Sequence, residues 1–244
     1  FYFSYLWPLK FEYLTPGYIF NLPLPFILFS FVASLIAVPI LGAFFGKRWY
    51  CSWVCGCGGL ANTAGDPFRH LSSKTSASWR FERASIYTVL ALCVTLTALL
   101  FIVWGTKGRY PQFDQFAYKY QEWYGKIVAT ILSGVVGVGL YPLAGTRVWC
   151  RFFCPMAAVL GLTQTVGRFR ITVRDILCIS CGLCSQYCEM GIDVRSYAQA
   201  NQSFTRSSCV GCGMCSEVCP RGVLRLENVA RPSASQLVQI RTRS

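Results

Sequence analysis

Between Cys178 and Pro220 the chain reads C-I-S-C-G-L-C-S-Q-Y-C and, after a short insert, C-V-G-C-G-M-C-S-E-V-C-P. Both runs have the spacing C-x2-C-x2-C-x3-C, the ligand pattern of bacterial two-cluster ferredoxins. Three cysteines on one tight loop reach three corners of an iron–sulfur cubane, and the fourth lies too far along to close the same cage. Crossing the fourth cysteine over groups Cys178, Cys181, Cys184 and Cys219 on one [4Fe–4S] cluster, and Cys209, Cys212, Cys215 and Cys188 on a second. Gly182, Gly211 and Gly213 suit a backbone that turns sharply beside inorganic sulfide. Pro220 closes the second run, whereas Glu189 stands at the equivalent place in the first. Zinc is the competing chemistry, but it favours separate C-x2-C knuckles over two copies of a four-cysteine run.

A second set of thiols precedes these. G-K-R-W-Y-C-S-W-V-C, from Gly46 to Cys55, returns as G-T-R-V-W-C-R-F-F-C, from Gly145 to Cys154, at an offset of 99. Gly46 aligns with Gly145, Arg48 with Arg147, Cys51 with Cys150 and Cys55 with Cys154. Each copy follows an apolar stretch, so the pattern reads as an internal repeat of parallel type. Cysteines four apart share one helix face. Two such helix starts facing each other would converge four thiols, enough for a third iron–sulfur cluster, [4Fe–4S] or [2Fe–2S]. Arg48 and Arg147 beside the thiolates would stabilise cluster charge or act as positive-inside anchors. Buried apolar cysteines are the alternative to a cluster. Cys57 has no counterpart in the second copy, and could replace a ligand, add one or stand spare. Cys93 reads as packing.

These ligands need elements to hold them. Apolar residues make up 54% of the 244, too many for an ordinary soluble domain. Three stretches, 25–45, 86–104 and 127–145, approach the roughly 20 apolar residues that cross a bilayer. The first lacks the basic start and small-residue cleavage site of a secretory signal. Pro39 predicts a kink within it. Residues 155–166 are apolar but too short to span, predicting an interfacial or re-entrant helix.

The formal charge of +13 gathers beside the spans, and no nucleic-acid motif accompanies it. Lys47, Arg48, Arg69, Lys74, Arg80 and Arg83 face only Asp66 and Glu82 between the first two spans. The next loop holds Lys107, Arg109 and Lys119 among seven aromatics, an interface belt. The positive-inside rule then puts the first loop and everything after Gly145 in the cytoplasm, a reducing compartment where thiolates persist as ligands. The fold class expected is an α-helical membrane domain with a C-terminal α+β two-cluster ferredoxin-like domain. The membrane domain has three transmembrane helices, short interfacial or re-entrant helices and the repeat. The divisions are an interfacial lead-in at 1–25, the membrane domain at 26–168, the ferredoxin-like domain at 169–228 and a basic tail at 229–244. The tail reads as disordered or as a strap over a neighbouring subunit.

His70 is the single histidine, so bis-histidine haem within the chain is excluded. No covalent-flavin sequence, nucleotide fingerprint or acid–base pair stands out, and the chain reads as wiring rather than a substrate-converting enzyme.

Cys51 and Cys55, Cys150 with Cys154 and Pro155, and the eight ferredoxin-type cysteines together resemble the NosR/NapH-type membrane polyferredoxins over residues 26–228. The first motif departs from the family's C-x3-C-P, with Gly56 and Cys57 after Cys55. The flavin-bearing outer domain of the NosR branch is missing. The resemblance implies a multi-pass protein of the inner (cytoplasmic) membrane with its ferredoxin domain facing the cytoplasm. It implies an electron-transfer subunit exchanging electrons with a quinone, a flavoprotein, a reductase or another subunit of a redox complex. Metalloenzyme maturation, redox sensing, or half of an ion-translocating redox pump are the alternatives.

Overall fold

The computed structural model describes residues 4–107, 109–174 and 177–229. Apart from Val229, the basic tail lies outside the described residues.

Among the described residues two helices are long and apolar enough to cross a membrane, Leu24–Phe45 with 22 residues and Ser76–Thr106 with 31. Pro39 has no N–H and crowds the carbonyl one turn back, and the first helix answers with a π-helical stretch over Val32–Ala37. Thr75 caps the second helix by accepting from the Ser78 amide.

The stretch at 127–145 differs from the other two. Pro111–Tyr124, which carries most of the aromatics expected in a loop, is helical and runs on as a π-helical stretch, Gly125–Val136, and the short Gly137–Gly139. At Leu140 the backbone leaves helical geometry, and a separate turn, Tyr141–Ala144, follows. Gly137 and Gly139 favour helix weakly, and Pro142 cannot donate back to Val138.

Two further expectations change on packing. Pro155–Val166, expected to be interfacial or re-entrant, is built into the bundle: Met156, Ala157, Ala158, Leu160 and Gln164 are buried, and it packs against both Val38–Phe45 and Ser76–Thr106. The residues read as a lead-in insert into the bundle. Leu6, Phe11 and Leu14 are buried, and the Trp7 indole donates to Thr97 Oγ1 at 3.1 Å. Cys93 is fully buried and its thiol meets the Pro8 carbonyl at 3.5 Å, a packing role.

The C-terminal part is small. β1 (Phe169–Val173) and β2 (Leu224–Asn228) pair antiparallel, with Ile171 opposite Leu226, and Ile171 also bridges Phe204. This sheet is bound directly to the helical part. The Arg168 amide donates to Ala43 O at 3.2 Å, and Asn228 Nδ2 donates to Phe44 O at 3.0 Å.

Candidate metal centres

Each cysteine run folds as a loop closed by one short helical turn. Gly182 and Gly213 sit in the left-handed region at φ 80° and 81°, and head the turns Leu183–Gln186 and Met214–Glu217. The run places a second left-handed residue two positions earlier in each loop, Ser180 at φ 59° and Gly211 at φ 75°. Serine is accommodated because its Oγ accepts from Gln199 Nε2 at 2.8 Å. Glycine is needed at 211 because a Cβ there would fall on the Phe169 ring. Gly211→Ala is therefore expected to cost about 1–3 kcal/mol, read in thermal melts, together with loss of bound iron. Ser180→Gly should leave both unchanged.

The loops line two separate cavities. Cys178, Cys181, Cys184 and Cys219 line one, with Ile179, Arg195 and Arg221 at its rim. Cys188, Cys209, Cys212 and Cys215 line the other, walled by Ile171, Ile192, Val194 and Phe204. The fourth cysteine of each run thus faces the cavity of the other run. Among the described residues no three Cys, His, Asp or Glu side chains converge on a single ion. Four thiols set around a cavity suit the corners of an iron–sulfur cage. Backbone amides complete the lining, as where Ile192 N–H points at Cys188 Sγ at 3.4 Å.

The two C-x3-C segments share one local geometry. Gly46 and Gly145 precede them at φ 66° and 92°. A π-helical turn follows in each, Trp49–Val54 and Trp149–Phe153, closed by Cys55 N–H to Tyr50 O at 2.8 Å and Cys154 N–H to Trp149 O at 3.0 Å. Cys55 and Cys154 then stand in extended conformation at the start of the helices Gly56–Thr63 and Pro155–Val166. Each pair therefore straddles a π-turn and a helix start, not one regular helix face.

Cys51, Cys55, Cys150 and Cys154 are all buried. They are also close enough to influence one another's ionisation. Burial pushes the Cys51 thiol up to about 12, with Cys150 next in effect. Burial likewise raises Cys154, and Cys150, Cys51 and Cys55 add to the rise. Cys150 is raised by burial against the opposing pull of Arg147. In the ferredoxin-type part, burial lifts Cys209 to about 12 and Cys212 to about 11. Thiols this buried stay protonated alone and become thiolates only beside a concentrated positive charge, such as iron.

Cys57 belongs to the same neighbourhood. Its thiol hydrogen-bonds Cys55, which lowers it, and it also meets the Tyr5 hydroxyl. With Cys150 it lines a further cavity of about 160 Å³. Among the described residues, Thr146 Oγ1, Arg147 Nε and Trp149 Nε1, on residues that line that cavity, are buried without a hydrogen-bond partner. Donors left free beside thiols suit sulfide or thiolate acceptors. The glycine-rich turn after Cys55 is explained by contact, since a Cβ on Gly58 would fall on the Cys51 carbonyl.

The arginines proposed beside these thiols separate. Arg147 is 1% exposed and donates to Cys51 O at 3.0 Å and to Asn62 Oδ1 at 2.6 Å. Arg48 is half-buried and stacks on Trp53 at 5.6 Å, turned to another task. Its neighbour Lys47 takes the buried place, 2% exposed and within electrostatic reach of Cys51, Cys154 and Cys209. Sequence reading passed over Lys47 because the repeat pairs it with Thr146 and marks Arg48 instead. Glu82 was also passed over: buried near the start of Ser76–Thr106, it accepts from Arg151 Nε at 2.8 Å and from the Ser208 hydroxyl.

A family model described as a 4Fe-4S dicluster domain matches residues 177–224. A second, described as a 4Fe-4S binding domain, matches residues 26–75 and 121–174, the segments that contain the C-x3-C pairs. The chain is 23% identical to the Escherichia coli protein YccM, named for electron transport, over 63% of this chain and 44% of that protein. It is 28% identical to the methylamine utilization ferredoxin-type protein MauN of Methylobacillus flagellatus, over 64% of this chain and 54% of that one. The chain thus spans about half the length of these curated relatives. No solved structure matches it. The protein carries 4Fe–4S ferredoxin-type domains and is distantly related to YccM and MauN.

Proposed function

We propose that this chain is a membrane-bound electron-relay subunit. It would hold two [4Fe–4S] clusters in the cavities of its C-terminal part and a third iron–sulfur centre at Cys51, Cys55, Cys150 and Cys154. When bound, such clusters take up and release single electrons without proton or group chemistry. The chain's residues position the cages, keep water from them and set their potentials. The observation that carries the reading is the grouping of eight thiols into two four-cysteine cavities, each completed by the far run. Their seat against the four buried thiols of the helical part supports a relay rather than a free-standing ferredoxin.

The helical part supports the membrane reading. Leu24–Phe45 is apolar all round and only 17% of its most apolar stretch is buried in the chain. Leu28, Val32, Leu35, Ile36 and Ile40 face outward half-exposed, a surface that lipid would cover. The stretch ending at Gly139 would make a third crossing, and the two C-x3-C segments would be copies of one repeat. Lys47, Arg83 and Arg151 share a pocket with Met190, Ser207 and Ser208 of the ferredoxin-type part, and Arg69 pairs with Glu189, which fits a cytoplasmic orientation. Cys181 is exposed and Arg195 and Arg221 are exposed beside it. Electrons would be exchanged there with a partner subunit or soluble donor, and at the membrane end with a quinone or second subunit.

Iron and acid-labile sulfide analysis with redox-poised EPR on the anaerobically purified chain tests this. The expected count is about eight irons from the ferredoxin-type pair and about two to four more from the third site. Zinc in place of iron, or a colourless protein with disulfides, would overturn it.

A further inference from the structure

Glu189 is the residue by which the first cysteine run departs from the second, and the fold gives that departure a place. It is 1% exposed, whereas its counterpart Pro220 is exposed at the outer end of the ferredoxin-type part. It follows Cys188 directly and lines the Cys188–Cys209–Cys212–Cys215 cavity. Its carbonyl is pinned by the Ser72 hydroxyl at 2.7 Å. Its carboxylate is paired with Arg147 Nη2 at 3.3 Å and Arg69 Nη1 at 3.7 Å. Arg147 in turn grips the Cys51 carbonyl and lines the cavity beside Cys150. One buried ion pair therefore spans from the membrane-side thiols to the Cys188 group. The pairs that Arg147 and Arg69 make with Glu189 do not extend to the Cys178 group, whose cavity is rimmed by exposed Arg195 and Arg221 instead.

We propose that the Arg147–Glu189 pair is a positioning and tuning element, which makes the Cys188 group, and not the Cys178 group, the redox neighbour of the Cys51–Cys150 site. The proposal rests on the cluster reading above. Its electrostatics are local. A fixed anion beside a cluster disfavours the added electron, and in a dry interior the effect is strong and short-ranged. Arg147 offsets that anion on the side of Cys51 and Cys150. The two charges thus bias adjacent centres in different directions and seat the two parts of the chain against each other.

The test is an EPR-monitored redox titration of the full chain in detergent, with signals first assigned by Cys178→Ser and Cys209→Ser variants. Glu189→Gln removes the anion and leaves Arg147 uncompensated. The signals of the Cys188 group and of the Cys51–Cys150 site are expected to shift to more positive potential, with the Cys178 signal unmoved. Glu189→Asp keeps the charge and should restore the wild-type values. Arg69→Gln, a milder change at the outer side of the same carboxylate, should shift the Cys188 signal alone, to more negative potential. If Glu189→Gln fails to bind iron, Arg69→Gln decides by itself. No shift in an iron-replete variant, or a shift confined to the Cys178 signal, overturns the proposal. Absence of a third signal in the unmodified protein would instead overturn the cluster reading.

Discussion

Cys150→Ser is expected to remove one whole redox centre and leave the ferredoxin-type pair intact. Cys150 is buried, lies in reach of Cys55 and Cys154, and sits under the Arg147 guanidinium. A serine there offers a harder, far less acidic oxygen in place of a soft thiolate, and iron–sulfur cages are held by thiolates. Iron should fall by about two to four atoms per chain, with one EPR signal lost and two retained. The same measurement decides Cys57. Its thiol hydrogen-bonds that of Cys55, so either residue is placed to serve. If Cys55 is the ligand, Cys57→Ser keeps all three signals and Cys55→Ser loses one; the reverse result makes Cys57 the ligand. Survival of every signal in Cys150→Ser would remove the third centre from the protein.

Glu82→Ala is expected to have the largest effect on stability. The carboxylate is buried between Arg151, at 2.8 Å, and the Ser208 hydroxyl, so one side chain ties the Ser76–Thr106 helix to the second C-x3-C segment and to the ferredoxin-type part. Arg151 also donates to Ser73 O at 2.7 Å. Removing the acid strands a buried guanidinium, a loss of about 3–5 kcal/mol. Typical folds have only about 5–15 kcal/mol in total. The two parts should then separate, seen as faster proteolysis at the 166–168 junction and a lower melting temperature. Replacing both charges, with Glu82→Leu and Arg151→Met, should recover most of the loss, because a well-packed apolar pair often matches a buried ion pair. A Glu82→Ala protein as stable as the parent would show that this contact does not hold the parts together.

Much of the chemistry was legible because cage geometry is written into spacing. Three cysteines within seven positions must share a loop, and the expected grouping of Cys178 with Cys219 and of Cys209 with Cys188 follows from spacing alone. The two longest apolar helices were legible for a similar reason, since length and apolar composition can be counted along the chain. The helix past Gly125 was less so. Its apolar residues suggested one straight span, but the break at Leu140 comes from weak glycines and a following proline, which a count of apolar residues does not weigh.

The sequence alone determined the two four-cysteine runs and, with them, the ferredoxin-type 4Fe–4S domain that they mark. The tertiary structure alone decided which charges stand beside them. Lys47 rather than Arg48 turns inward, Glu189 becomes a buried anion between two arginines, and the first residues thread the bundle to bring Tyr5 to Cys57. The physical reason is range. Ligand spacing is set by covalent chain geometry over a few residues, whereas the burial and pairing of a charge depend on segments more than a hundred positions apart, as with Lys47 and Gln164 or Ser72 and Glu189.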